Sequence, residues 1–84
     1  MSSLDHEAVL QVVVAIVARV TKRPQPAAAM DTMLFELDAL DSLRLLETVA
    51  LAEEHFGVQI DTGGLGQIET VGDIVRLVAS GRRG

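Results

Sequence analysis

Apolar residues recur every three or four positions from Leu4 to Val20, with Val9, Val13, Ile16, Val17 and Val20 on one face. That is the spacing of a helix buried along one side. Val12-Val13-Val14 is β-branched and would also suit a strand. Seventeen residues without a breaker are too long for one, so the pattern predicts helix I over about 4–20. Ser2 or Ser3 can cap it, with Asp5 and Glu7 in the opening turn, where the helix dipole favours acids. Pro24 and Pro26 forbid continuation. Residues 21–41 then form a long loop in which Met30, Met33, Leu34, Phe35 and Leu37 predict a segment laid over the core, with a short helical turn. The length of this connection predicts a mobile segment over Thr21–Leu40.

The next helix pattern, helix II over 42–56, has two apolar faces. At 100° per residue Leu45, Thr48, Val49, Ala52 and Phe56 cluster toward a core, while Leu43, Leu46, Glu47, Ala50 and Glu54 share the opposite side. Gly57 suits the left-handed residue that closes a helix, and Val58-Gln59-Ile60 runs on extended. The glycine-rich stretch after it predicts a short helix III at about 62–67. Thr70 with Asp73 three residues on is a capping box for helix IV, 71–80, whose inner face is Val71, Ile74, Val75 and Val78. Gly81 is expected to cap it, leaving Arg82-Arg83-Gly84 as a frayed tail. These elements predict an all-α fold in one domain, 1–84.

Charge sharpens the picture. The chain of 84 residues carries a net −5, yet between Asp31 and Asp73 ten acids stand against one base, Arg44. That block holds −9 and the two ends together +4. Such a field disfavours nucleic acid as a partner and favours basic protein surfaces, so no nucleic-acid partner is expected. With two phenylalanines as the only aromatic residues, no base-stacking platform exists. There is no cysteine, hence no disulfide frame or thiolate metal site. No apolar run approaches the length of a membrane span, and the start lacks the basic region of a signal peptide. The expectation is a cytoplasmic monomer that does not enter membranes.

Candidate chemistry narrows to one position. Asp61-Thr62-Gly63 has the letters of an aspartic-protease triplet, but that chemistry needs an all-β subunit. Gly63-Gly64-Leu65-Gly66 lacks the Lys-Ser/Thr of a phosphate loop and the strand–turn–helix context of a dinucleotide site, and reads as a turn. His6 and His55 lie on different helices without a second ligand pair. Ser42 has neither the Gly-x-Ser-x-Gly elbow nor an evident base, so it is no hydrolase nucleophile. Nothing supports an independent enzyme. Ser42 does stand at the first turn of helix II, after an acidic loop, where unpaired N–H groups and the positive dipole end favour a phosphate. Two readings follow from spacing: Ser42, or Asp41 before it, is an N-cap, or Ser42 carries a phosphoester.

The residues Asp41-Ser42-Leu43, then Leu45-Leu46-Glu47, Glu53-Glu54-His55-Phe56-Gly57-Val58-Gln59-Ile60 and Glu69-Thr70-Val71 together resemble the acyl carrier protein and peptidyl carrier protein family over nearly the full chain. The resemblance implies a four-helix bundle of acyl-carrier-protein type, three main helices plus a short helix III. It implies that Ser42 is esterified by 4′-phosphopantetheine, taken from coenzyme A by a phosphopantetheinyl transferase using Mg²⁺. The thiol of that arm would be the only one present. By similarity Asp41 and Leu43 support the motif, and Leu43, Arg44, Leu46, Glu47, Ala50 and Glu54 lie where the family meets its partners. Those would be a loading ligase, adenylation enzyme or acyltransferase, and downstream synthase or tailoring enzymes. Ala39 stands where the family usually has glycine, and Arg44 where fatty-acid carriers commonly have an acid. The spacing of Leu34-Phe35-Glu36 ahead of Leu40-Asp41-Ser42 looks like discrete carriers of the D-alanyl type, whose usual glycine is replaced here by Asp38. The expectation is a free-standing acyl or aminoacyl carrier in polyketide, nonribosomal peptide or related specialised biosynthesis. The alternative is an unmodified helical adaptor that docks a partner through helix II.

Overall fold

Helix α1, His6–Thr21, opens on Asp5, whose carboxylate accepts from the Glu7 N–H at 3.2 Å. The computed structural model describes residues 5–60 and 62–83, so the expected caps Ser2 and Ser3 lie outside the described residues. Asp5, expected inside the first turn, is itself the cap: its backbone is extended and its short acceptor reaches the second helical N–H. The buried face is also wider than the predicted one. Val9, Leu10, Val13, Val14, Val17 and Thr21 are buried, whereas Ile16 and Val20 are half-buried. The reason is that α1 packs against both other long helices, so two adjacent ridges are covered rather than one. The buried Thr21 hydroxyl donates back to the Val17 carbonyl at 2.7 Å, which satisfies it inside the core.

The long connection is not a free loop. Leu34–Glu36 forms a single 3₁₀ turn, with Leu34 buried and Met30, Leu37 and Leu40 packed against the core. Its backbone is stitched to the start of helix α3, Val71–Ala79. Leu34 N–H donates to the Glu69 carbonyl at 2.8 Å, Val71 N–H to Thr32 at 2.9 Å and Gly72 N–H to Met30 at 2.8 Å, and Met33 bridges Thr70. Within the segment expected to be mobile, residues 30–34 are tied by their backbone to the start of α3. Helix N-termini carry unpaired N–H groups, and here the loop supplies their acceptors. Phe35, expected over the core, is instead 80% exposed, because the turn that buries Leu34 directs the next side chain outward.

Helix α2, Ser42–Phe56, buries Thr48, Val49 and Ala52, with Leu45 and Phe56 half-buried at its edges. The Thr48 hydroxyl donates to the Arg44 carbonyl at 2.8 Å. Gly57 closes α2 at φ 66°, a left-handed conformation that glycine adopts without a Cβ penalty. Strand β1, Val58–Gln59, follows and pairs antiparallel with β2, Arg82–Arg83, matching Val58 to Arg83 and Gln59 to Arg82. The expected frayed tail is thus corrected at these two residues: the chain folds back onto the exit of α2. The Ile60 N–H is held by the Glu53 carboxylate at 2.7 Å. Thr62–Gln67 is a six-residue 3₁₀ helix, the short third helix of the bundle. Asp61 of the rejected protease triplet lies outside the described residues.

At α3 the expected capping box is complete. Thr70 Oγ1 accepts from Asp73 N–H at 3.1 Å while the Asp73 carboxylate takes Thr70 N–H at 3.0 Å. Val71, Ile74, Val75 and Val78 are buried. The helix ends at a Ser80 cap rather than at Gly81. The core is dominated by valines from α1 and α3, closed by Leu34, Val49, Ala52, Val58 and Ile60. Among the described residues no buried side-chain polar atom lacks a partner, and no helix is long and apolar enough to cross a membrane.

Candidate functional site at the start of helix α2

The first turn of α2 shows which of Asp41 and Ser42 does the capping. Asp41 is the N-cap: its Oδ1 accepts from the Arg44 N–H at 2.9 Å, and its Oδ2 pairs with Arg44 Nη1 at 2.9 Å. The cap is therefore filled without Ser42. Ser42 is the first helical residue, exposed, and its hydroxyl has no hydrogen-bond partner among the described residues. The backbone N–H groups of Ser42 and Leu43 likewise have none there. At α3, by contrast, the loop carbonyls of Thr32 and Met30 take the corresponding groups. One helix start is sealed and the other is open, with a primary hydroxyl in the opening.

Electrostatics follow the geometry. The Arg44 N–H bond, aided by the nearby guanidinium, holds the Asp41 carboxyl below the usual carboxylate range, because both favour the charged form. An open depression of about 430 Å³ beside Ser42's turn is lined by Leu37, Ala39, Leu40, Asp41 and Arg44. Its wall includes Ala39, whose φ of 65° is left-handed. The residue type that resemblance led one to expect at this position, glycine, is the one such a conformation favours.

Leu43 is 64% and Leu46 48% exposed, and Glu47, Ala50 and Glu54 are exposed along the same side of α2. Arg44, grouped with them by sequence, is half-buried and turned back onto Asp41. Two side chains take directions the sequence did not show. Phe35 is the most exposed of the large apolar side chains named here, and only the three-dimensional turn reveals its direction. Glu53, read as one more acid at the helix end, faces the other way and anchors Ile60. The hydrophobic spacing of Val58 and Ile60 could have marked that segment as one needing a backbone partner. Among the described residues no group of His, Cys, Asp and Glu is arranged to hold a metal.

Comparison with known proteins gives this geometry a family. Residues 11–78 match the family model described as a phosphopantetheine attachment site. Among solved structures, the chain is similar to the holo acyl carrier protein from Geobacter metallireducens, at 26% identity and a TM-score of 0.71, over 83% of this chain and 80% of that one. Comparison with curated proteins returns no match. The fold is all-α and of acyl-carrier type, and members of this group work with a phosphopantetheinyl transferase and partner enzymes. The chain belongs to the phosphopantetheine attachment-site family, as a carrier protein whose cofactor is covalently attached 4′-phosphopantetheine.

Proposed function

We propose that Ser42 is the attachment residue, and that the protein is a non-catalytic carrier delivering an acyl or aminoacyl thioester to partner enzymes in a specialised biosynthesis of the polyketide or nonribosomal-peptide kind. The single observation that carries this is the exposed, unpartnered Ser42 hydroxyl at an open helix start whose cap is already supplied by Asp41. The donor set fits the group. A primary hydroxyl can form the ester, and two free N–H groups with a nearby guanidinium suit the phosphodiester anion. In the attachment step the Ser42 oxygen bonds to phosphorus, the pyrophosphate link of coenzyme A breaks, adenosine 3′,5′-bisphosphate leaves, and the hydroxyl proton passes to base. The arm supplies a thiol that this cysteine-free chain lacks. The exposed face of Leu43, Leu46, Glu47, Ala50 and Glu54 is the docking surface we assign to basic partners. Reading the chain as a discrete specialised carrier rather than a fatty-acid one draws support from Arg44 and from the loop spacing.

Intact mass after incubation with a broad-specificity phosphopantetheinyl transferase, coenzyme A and Mg²⁺ tests the proposal. Wild type gains one phosphopantetheinyl group, while Ser42→Ala gains none and keeps its fold. A gain that survives in Ser42→Ala places the arm elsewhere. No gain in wild type beside an active control favours the unmodified adaptor.

A further inference from the structure

We propose that Arg44 is a positioning residue for the arm, held by Asp41 in the unmodified chain and turning to the phosphodiester once Ser42 is esterified. This rests on Ser42 being the attachment point. Arg44 is the one lysine or arginine between Asp31 and Asp73, and its guanidinium folds back on Asp41, the residue before Ser42. Its guanidinium is 2.9 Å from Asp41 Oδ2, half-exposed, at the rim of the depression that Leu37, Ala39 and Leu40 line. Esterification puts a permanent anion next to Asp41 in sequence. Two neighbouring anions repel, and a guanidinium turning from one toward the other relieves that repulsion. Its forked donors suit a phosphate better than a single carboxylate oxygen. The swap leaves the cap intact, because Asp41 Oδ1 is bonded to the Arg44 backbone N–H and not to its side chain. The arm would then leave α2 along the Arg44 side of the depression.

Melting temperatures of the unmodified and modified forms test this in wild type, Arg44→Gln and Arg44→Lys, each first shown by intact mass to carry the group. Wild type should melt at nearly the same temperature in both forms. Arg44→Gln should lose about 1–8 °C on modification at low salt, the range set by an exposed charge pair in a domain this small. High salt should shrink that loss, and Arg44→Lys should recover part of it. The same change on modification in wild type and Arg44→Gln overturns the proposal. Should Arg44→Gln resist loading, the wild-type Arg44 Nε–H resonance decides: a shift on modification supports the swap, and an unmoved resonance refutes it. Absence of any mass gain in wild type would instead strike at Ser42 itself, a distinguishable failure.

Discussion

Ala39 holds a left-handed backbone at φ 65° three residues before Ser42. For a residue with a Cβ that conformation costs about 1–2 kcal/mol, part of which glycine would give back through the greater freedom of its unfolded chain. Ala39→Gly should therefore raise stability by roughly 0.5–1 kcal/mol, read from thermal or urea unfolding. An unchanged midpoint would mean that the loop relaxes to relieve the alanine. The residue scale was also where sequence spoke most directly. Asp41 and Ser42 were visible as a pair because capping is a local event, settled within one turn. Which of the two does the capping was not visible, since both side chains can, and only the geometry shows Asp41 bonded to the Arg44 N–H. Phe35 escaped because its outward direction comes from the 3₁₀ turn around it.

Helix α3 shows how an element secures its own start. The Asp73 carboxyl is held down to about 2, from an ordinary 3.8, first by the N–H groups of Glu69 and Thr70 and then by the Arg76 guanidinium. The folded state thus favours the charged form. Its stabilisation is complete above about pH 4 and is lost as pH falls from there toward about 2. The stability gap between wild type and Asp73→Asn should accordingly be widest near neutrality and close over that acid range. A gap constant with pH would assign the box to neutral hydrogen bonding alone. Thr70 and Asp73 were legible as a capping box from their spacing. The face of α1 was only partly so: a helix wheel assumes one buried side, and α1 lies against both α2 and α3, which draws Leu10, Val14 and Thr21 inside.

At the scale of the molecule, pairings between distant segments carry the arrangement. Neither the β1–β2 ladder nor the stitching of residues 30–34 to the start of α3 leaves a local signature, because backbone bonds do not depend on side-chain type. Gly72 is the exception. A Cβ there would stand 2.6 Å from the Met30 carbonyl oxygen, closer than atoms can approach without displacing backbone. Gly72→Ala should cost about 1–3 kcal/mol, as overpacking does, and should speed amide exchange at Leu34 and Val71, whose bonds lie in the same seam. Full stability in Gly72→Ala would show that the loop can lift away at little cost. The seam has a consequence for how such a chain can be rewritten. Six residues separate Leu34, fixed to Glu69, from Asp41, which fixes the start of α2. They form a tether pinned at both ends and folded into turns between them. New side chains can be written at its exposed positions, Phe35, Glu36 and Asp38, while Leu37 and Leu40 hold it to the core; one added residue would shift where Ser42 emerges. The letters of this tether set what the surface offers, and its length sets reach.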